Sequence, residues 1–234
     1  MNGMRLVLVV TFLAFSSING NCQFLTGAGA GNNVLKESQY TNVQGSPYLY
    51  ADWKSGAILD TNGKLSENMM IRYDSYRDEV QFLKDGRTLV IDPSLVPEFY
   101  FVTTNEETKK IENILFRNGF NVEGYKKLNY FQVIYSTGIH YLRKFKTEYI
   151  EEAASSFGTN EQIKRFERTE SEFLINKDGS VVKVGKNRKE LVSSFGNYAG
   201  QMKTFIKENK LNVKSDVDLN KILRKFEALN ATGG

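Results

Sequence analysis

Between residues 45 and 184, apolar and polar positions alternate in short runs, and this pattern predicts half-buried β-strands. The runs place apolar side chains at every second position: Met69, Ile71, Tyr73; Val80, Phe82; Leu89, Ile91; Phe131, Val133, Tyr135; and Ile139, Tyr141. Turn dipeptides stand beside them at Asn62-Gly63, Asp85-Gly86, Asn118-Gly119 and Asp178-Gly179. Because these dipeptides tolerate the positive φ angles of a type I′ turn, they favour β-hairpins. The sequence therefore predicts a curved antiparallel sheet.

The stretch 68–93 is expected to form a three-stranded meander within this sheet. Its first reversal should fall at residues 74–77, which have the composition of a turn. On the solvent-facing side we expect arginines to pair with acidic residues, namely Arg72 or Arg77 with Asp78 or Glu79. Such exposed pairs contribute only ~0–1 kcal/mol, so they mark a scaffold rather than a reactive site.

Two interpretations fit the stretch 159–173. A helix could begin with Thr159 as its N-cap and turn Ile163 and Phe166 inward. Alternatively, a strand leads into Phe173, and for the second half of the stretch we favour the strand.

From residue 187 the apolar spacing changes to a helical period. Asn187 followed three residues later by Glu190 is typical of a helix N-terminus, and Ser215 with Asp218 repeats the pattern. The apolar stripes of the predicted helices are Leu191, Phe195; Met202, Phe205, Ile206; and Leu219, Ile222, Leu223, Phe226. A small helical unit after an antiparallel sheet predicts an α+β fold.

The first 22 residues have the order of a secretory signal peptide. Arg5 precedes an apolar run at 6–15, and small and polar residues follow it. The run is shorter than the ~20 residues that a membrane-spanning helix needs. We therefore expect an exported protein that is periplasmic, displayed on the cell surface or secreted.

Cys22 is the only cysteine of the chain, so it cannot form an intrachain disulfide. Gly20 and Cys22 suit the small positions before a signal peptidase site, which predicts cleavage after Cys22. Lipidation of Cys22 is the alternative. Asn19 and Asn21 argue against it, because a lipoprotein signal has a leucine-like and a small residue at those places.

This pattern divides the chain into four parts. They are a signal peptide at 1–22, a flexible leader at 23–44, an antiparallel β domain at 45–184 and a helical segment at 185–234 packed on that domain.

The formal net charge of +4 says little about function, but its distribution is uneven. From Lys186 to Glu227 the chain carries ten Lys and Arg residues against five Asp and Glu residues. No aromatic stacking motif accompanies them, so we expect no nucleic-acid partner. A solvated helix face explains the surplus, and peripheral contact with an anionic membrane surface is the alternative.

Chemistry-bearing residues are few, and the sequence predicts no catalytic, cofactor-binding or metal-binding residues. His140 is the only histidine and lies in a predicted strand without metal-ligand spacing. No phosphate-binding glycine loop is present, and no cofactor is expected. The carboxylates of Asp74, Asp78 and Glu79 could act as acid and base in a hydrolase. Their position in and beside a predicted turn favours the scaffold interpretation.

The motifs "GSPYLYADWKSG" at 45–56, "GK" at 63–64 and "RYDSYRDEVQF" at 72–82, with the lysine-rich close "FIKENKLNVKSDVDLNKIL", resemble a group of uncharacterised exported proteins common in Bacteroidetes. Asp74 stands where that group more often has Asn. The resemblance implies an exported protein with no assigned activity, and it brings no catalytic residues.

Two functions follow as expectations. The first is a non-catalytic binding or envelope-associated module whose curved sheet holds an apolar or peptide-like ligand or an envelope component. The alternative is a cell-envelope hydrolase that uses carboxylates near Asp74, Asp78 and Glu79.

Overall fold

The computed structural model describes residues 30–31, 43–105, 108–153, 162–185 and 187–232. Within these ranges, eleven strands form one antiparallel sheet that is not closed. In chain order they are β1 (Ala30–Gly31), β2 (Lys54–Leu59), β3 (Leu65–Asp74), β4 (Glu79–Lys84), β5 (Arg87–Ile91), β6 (Glu98–Thr104), β7 (Ile111–Arg117), β8 (Phe131–Ser136), β9 (His140–Ala153), β10 (Gln162–Ile175) and β11 (Val181–Val184).

Most neighbours in the sheet are also neighbours in the chain. The order is β1-β5-β4-β3-β2-β6-β7-β8-β9-β10-β11, and the predicted meander is confirmed as β3, β4 and β5. The turn between β4 and β5 has positive φ at both central residues, 51° at Asp85 and 72° at Gly86. This pair of angles is the type I′ geometry that the Asp-Gly dipeptide predicts.

The sheet curls strongly. Ser75, directly after β3, lies against Thr147 of β9: the Thr147 N–H donates to the Ser75 carbonyl at 3.0 Å, and the two hydroxyl oxygens are 2.7 Å apart. Five strand spacings separate β3 from β9 in the sheet order. In a flat sheet, spacings of ~4.8 Å would place these strands ~24 Å apart. The contact therefore requires the sheet to fold over on itself.

Residues 43–50 join strands that are not neighbours in the sheet. Gln44 forms a parallel bridge with Arg165 of β10, and Tyr48 forms an antiparallel bridge with Asp74 at the end of β3. Gly45, with φ of +79°, passes so close to β10 that an added Cβ would lie 2.8 Å from the carbonyl oxygen of Phe166. This N-terminal segment holds the curl in place.

An aromatic core fills the inside of the curl. Its fully buried side chains include Tyr73, Phe82, Phe99, Phe101, Phe116 and Tyr130. Phe99 and Phe116 stack with their ring centroids 4.9 Å apart. Rings of this size bury enough apolar area to dominate the stability of a core.

The predicted helices are confirmed as α1 (Arg188–Ser193), α2 (Ala199–Glu208) and α3 (Asp216–Thr232), with a 3₁₀ turn at Gly196–Tyr198. The Asn187 side chain accepts from the Glu190 N–H at 2.9 Å, as an N-cap does. The helices bury Leu191, Met202, Ile206, Leu219, Ile222, Leu223 and Phe226 against the β8–β10 region of the sheet, which contributes Tyr135, Tyr141 and Leu174. A helical unit packed on a sheet gives the α+β class.

Three local expectations need correction. In the stretch 159–173 the strand favoured for the second half is confirmed, and the helix interpretation is wrong for the described residues, because β10 pairs with β9 from Gln162 onward; Thr159 lies outside the described residues. Asn118-Gly119 does not close a two-residue hairpin. It opens an excursion, residues 118–130, which returns to pair β8 with β7 and packs its own apolar residues on the sheet.

The third correction concerns Arg72, which does not face solvent. Only 8% of Arg72 is exposed, and its guanidinium lies 3.7 Å from the Tyr48 ring centroid and 4.3 Å from that of Trp53. It donates to the Gln81 side chain at 3.0 Å. The aromatic residues of "GSPYLYADW" therefore stack on the arginine of "RYDSY", which ties residues 43–53 to β3.

Candidate functional site

A cavity of about 510 Å³ opens at the mouth of the curl, and it joins four parts of the fold. The β3–β4 turn contributes Ser75 to Asp78, the excursion contributes residues 123–125 and Asn129, β9 contributes Lys144 and Lys146, and the last strands contribute Phe173 and Lys183. The volume is within the range of ~300–1,000 Å³ that is usual for small-molecule sites. We call it the Lys144 cavity.

Lys144 lies at the bottom of this cavity, with 4% of its side chain exposed. Its ammonium donates to three acceptors: Asp78 Oδ1 at 2.5 Å, Tyr73 Oη at 3.0 Å and the Tyr130 carbonyl at 2.9 Å. Because an ammonium has three N–H bonds, its donor capacity is fully used. Burial lowers the pKa of Lys144 below its usual value, while the Asp78 carboxylate opposes that shift.

Asp78 completes this network from the other side. Its Oδ1 also accepts from the Tyr73 hydroxyl, and its Oδ2 accepts from the Asn129 amide. Its backbone has φ of 61°, a left-handed conformation that Asp tolerates better than most residues. Burial, followed by the charge of Asp78, raises the pKa of Tyr73 well above its usual value. Tyr73 therefore serves as a neutral hydrogen-bonding group.

The other two candidate carboxylates lie beside the turn rather than in this network. Asp74 is buried, and its Oδ1 accepts from the N–H groups of Tyr76 and Arg77 at 3.0 Å each. Glu79 is its cross-strand partner. Burial raises the pKa of both carboxyls. The structure thus gives Asp74 the turn-forming role that the sequence favours.

His140 is placed in β9, as predicted, and away from the cavity. Its Nδ1 lies 2.9 Å from the Ser136 hydroxyl, and its ring packs edge-on against Phe120 with centroids 5.5 Å apart. Burial lowers its pKa. Among the described ranges, no three His, Cys, Asp or Glu side chains are grouped so as to hold a metal ion. Cys22 lies outside those ranges.

Sequence reasoning missed Lys144, the central residue of the site. The sequence carries one signal for it, which is that apolar residues occur at adjacent positions, Tyr141 and Leu142, and so on both faces of β9. In the structure both faces are buried, and Lys144 lies on the same face as Leu142, in the interior. The half-buried pattern assumed for this strand places Lys144 in solvent. The residues that bond to Lys144 are Tyr73, Asp78 and Tyr130, and no sequence motif or regular spacing links them to it.

A second cleft of about 460 Å³ lies between the first half of β3 and the end of β4. The pairing of these strands ends at Ile71 with Phe82, and beyond it they separate. The cleft exposes Leu65, Met70 and Leu83. It lacks a buried ionic network of the kind found at Lys144, so the Lys144 cavity is the stronger candidate.

The chain matches no protein-family model, no curated protein and no solved structure. The site must therefore be interpreted from its own geometry. Among the described helices, none has the combined length and apolar character that crossing a membrane requires.

Proposed function

We propose that this protein is a non-catalytic binding module and that the Lys144 cavity holds its ligand. The observation that carries the proposal is a cavity of about 510 Å³ whose buried ionic groups already bond to one another. Lys144 has no N–H left to donate, and both carboxylate oxygens of Asp78 accept hydrogen bonds. A general acid or base must exchange a proton with the substrate, and in this pair the three N–H bonds of Lys144 and both oxygens of Asp78 are already engaged within the protein.

The walls of the cavity support binding by contact with apolar groups. Tyr125 and Phe173 meet edge to face with ring centroids 5.7 Å apart, and Tyr76 stands exposed at the rim. Aromatic walls with a few polar groups are typical of small-molecule sites. Two of the three carboxylates of the alternative hydrolase, Asp74 and Asp78, have structural partners, so the geometry favours the binding module.

The direct test is to fill the cavity from its rim. Glu123 lines the cavity and is exposed, so Glu123→Trp should occlude it without disturbing the core. Lys203→Trp is the matched control, because Lys203 is exposed on α2 and does not line the cavity. A fragment library is screened by ligand-detected NMR. We expect fragments that bind the wild type and the control but not Glu123→Trp; equal binding to all three proteins contradicts the proposal.

Enzyme assays on glycoside, ester and peptide substrates separate binding from hydrolysis. We expect no turnover by the wild type. Turnover that is lost in Glu79→Gln, with the circular dichroism spectrum unchanged, would establish the hydrolase instead.

We also propose that the protein is exported and associated with the cell envelope. The support is the order of charge, apolar run and small residues in positions 1–22, which lie outside the described residues. N-terminal sequencing of the protein from its native host tests this: a chain that begins at Gln23 is expected, and one that retains Arg5 refutes it. A lipid on Cys22 would establish the lipoprotein alternative.

A further inference from the structure

We infer that the Lys144 cavity selects ligands that join an anionic group, a carboxylate or a phosphate, to a flat apolar body. The inference rests on the proposed function, because it concerns the ligand of the same cavity. Two features carry it, the excess of positive charge around the cavity and the aromatic wall beside that charge.

Cationic side chains outnumber acidic ones in the lining of the cavity. The cations are Arg77, Lys144, Lys146 and Lys183, and the acidic groups are Asp78 and Glu123. The buried Lys144–Asp78 pair neutralises itself. Arg77 lies close enough to Asp74 and Glu79 for its charge to oppose the rise in pKa that burial causes in both carboxyls, so its charge is partly balanced within the protein. Lys146 and Lys183 then stand against Glu123, so the lining keeps an excess of one positive charge.

Lys183 is the cation that a bound anion would meet. It is exposed on β11, and it forms no ion pair with any residue that the structure describes. Lys146 contacts Glu148 at 2.7 Å, but 57% and 54% of these two side chains are exposed. Exposed pairs of this kind are weak, so Lys146 can turn from Glu148 to a ligand at little cost.

The aromatic wall lies next to Lys183. Phe173 is directly opposite Lys183 in the pairing of β10 with β11, which places both side chains on the same face of the sheet. Phe173 in turn contacts Tyr125 and Phe131. A flat apolar group resting on these rings would hold an attached anion near the lysine.

Four small probes that share one aromatic ring test the inference. Benzoate and phenyl phosphate carry an anion, benzyl alcohol is neutral and benzylamine is a cation at neutral pH. Each is titrated into ¹⁵N-labelled protein, and the shifts of the amides at 123–125 and 183 give the dissociation constant. Lys183→Gln removes the charge at the wall, and Lys203→Gln is the matched control on α2.

We expect the anionic probes to bind most tightly and benzylamine to bind least. Lys183→Gln should weaken binding of the anions by about fivefold, as the loss of one partly screened charge does, and leave benzyl alcohol unchanged. Added salt should reproduce this effect. The comparison of benzoate with phenyl phosphate identifies which of the two anions the site prefers.

The failures of the two proposals can be told apart. If benzyl alcohol binds as tightly as the anions, or if Lys183→Gln and Lys203→Gln behave alike, the preference for anions is wrong and the cavity remains a binding site. If no probe shifts the cavity amides and Glu123→Trp abolishes no fragment binding, the proposed function itself is wrong.

Discussion

Replacing Asp78 by Asn should strongly destabilise the fold, although the side chain keeps its shape. Asn tolerates the left-handed φ of 61° at this position, so the backbone contributes little to the effect. The change removes the negative charge that neutralises Lys144, whose side chain is only 4% exposed. Removing one partner of a buried pair costs about 3–5 kcal/mol, because the remaining charge is left without compensation.

The double variant Asp78→Asn with Lys144→Met isolates the pair. Methionine fits the space of the lysine stem, and with both charges gone no ion remains buried. We expect the double variant to be at least about 2 kcal/mol more stable than the sum of the two single changes predicts. Lys146→Met is the control on the same strand; its ammonium is exposed, so the change should cost less than about 1 kcal/mol.

Urea unfolding measures these free energies. Trp53 is the only tryptophan of the chain, so its fluorescence reports on the stacked N-terminal segment, and far-ultraviolet circular dichroism reports on the sheet. Coincident transitions with an unchanged slope would support a two-state comparison. A loss below about 1 kcal/mol for Asp78→Asn, or strict additivity in the double variant, would refute the buried-pair argument.

Three further predictions test the turns and the packing. Gly86→Val should lower stability by about 1–2 kcal/mol, because valine disfavours the φ of 72° at this position. An added Cβ would meet no atom within 4 Å, so the cost comes from the backbone conformation and not from a clash; an unchanged melting temperature contradicts the prediction. The Glu227 carboxylate accepts from Tyr135, Thr137 and Gly138, and the two hydroxyl bonds lower its pKa. The ionised Glu227 carboxylate therefore stabilises the fold fully above pH ~4.3, the usual pKa of Glu, and this stabilisation is lost as the pH falls through the lowered pKa. Glu227→Gln should accordingly cost about 1 kcal/mol at pH 7, after allowance for its partial exposure, and nothing near pH 2; equal losses at both pH values would refute this. Arg72→Lys should cost about 1–2 kcal/mol and alter the fluorescence of the folded protein, because an ammonium cannot stack as a guanidinium does; an unaltered spectrum and midpoint would contradict the stacking.

Local signals predict the regular elements of this fold well. The alternation of Met69, Ile71 and Tyr73 marks β3, the Asp85-Gly86 dipeptide marks a turn, and Asn187 caps the first helix, because each depends on residues close in sequence. Each of these signals involves only a few consecutive residues, so it can be interpreted without knowing how the rest of the chain folds.

The candidate site depends on contacts that no local signal encodes. Lys144 and Asp78 are 66 residues apart, and they meet only because the sheet curls until β9 faces the β3–β4 turn. Arg72 was expected in solvent for the same reason: its stacking partners lie on the segment before β2, outside the meander. The Asn118-Gly119 dipeptide is ambiguous for another reason, because the same dipeptide occurs in two-residue hairpins and in longer excursions.

The N-terminal segment also determines the order in which the protein can reach its final form. Arg168 of β10 donates to the carbonyls of Tyr48 and Leu49, and 120 residues separate Arg168 from Tyr48 in the chain. During synthesis, residues 43–50 leave the ribosome long before β10 exists to receive them. Contacts between distant parts of a chain form slowly, because the loop between them must first be ordered. The earliest part of this domain to be made therefore docks among the last, and until β10 has been synthesised the nascent chain cannot complete its curl.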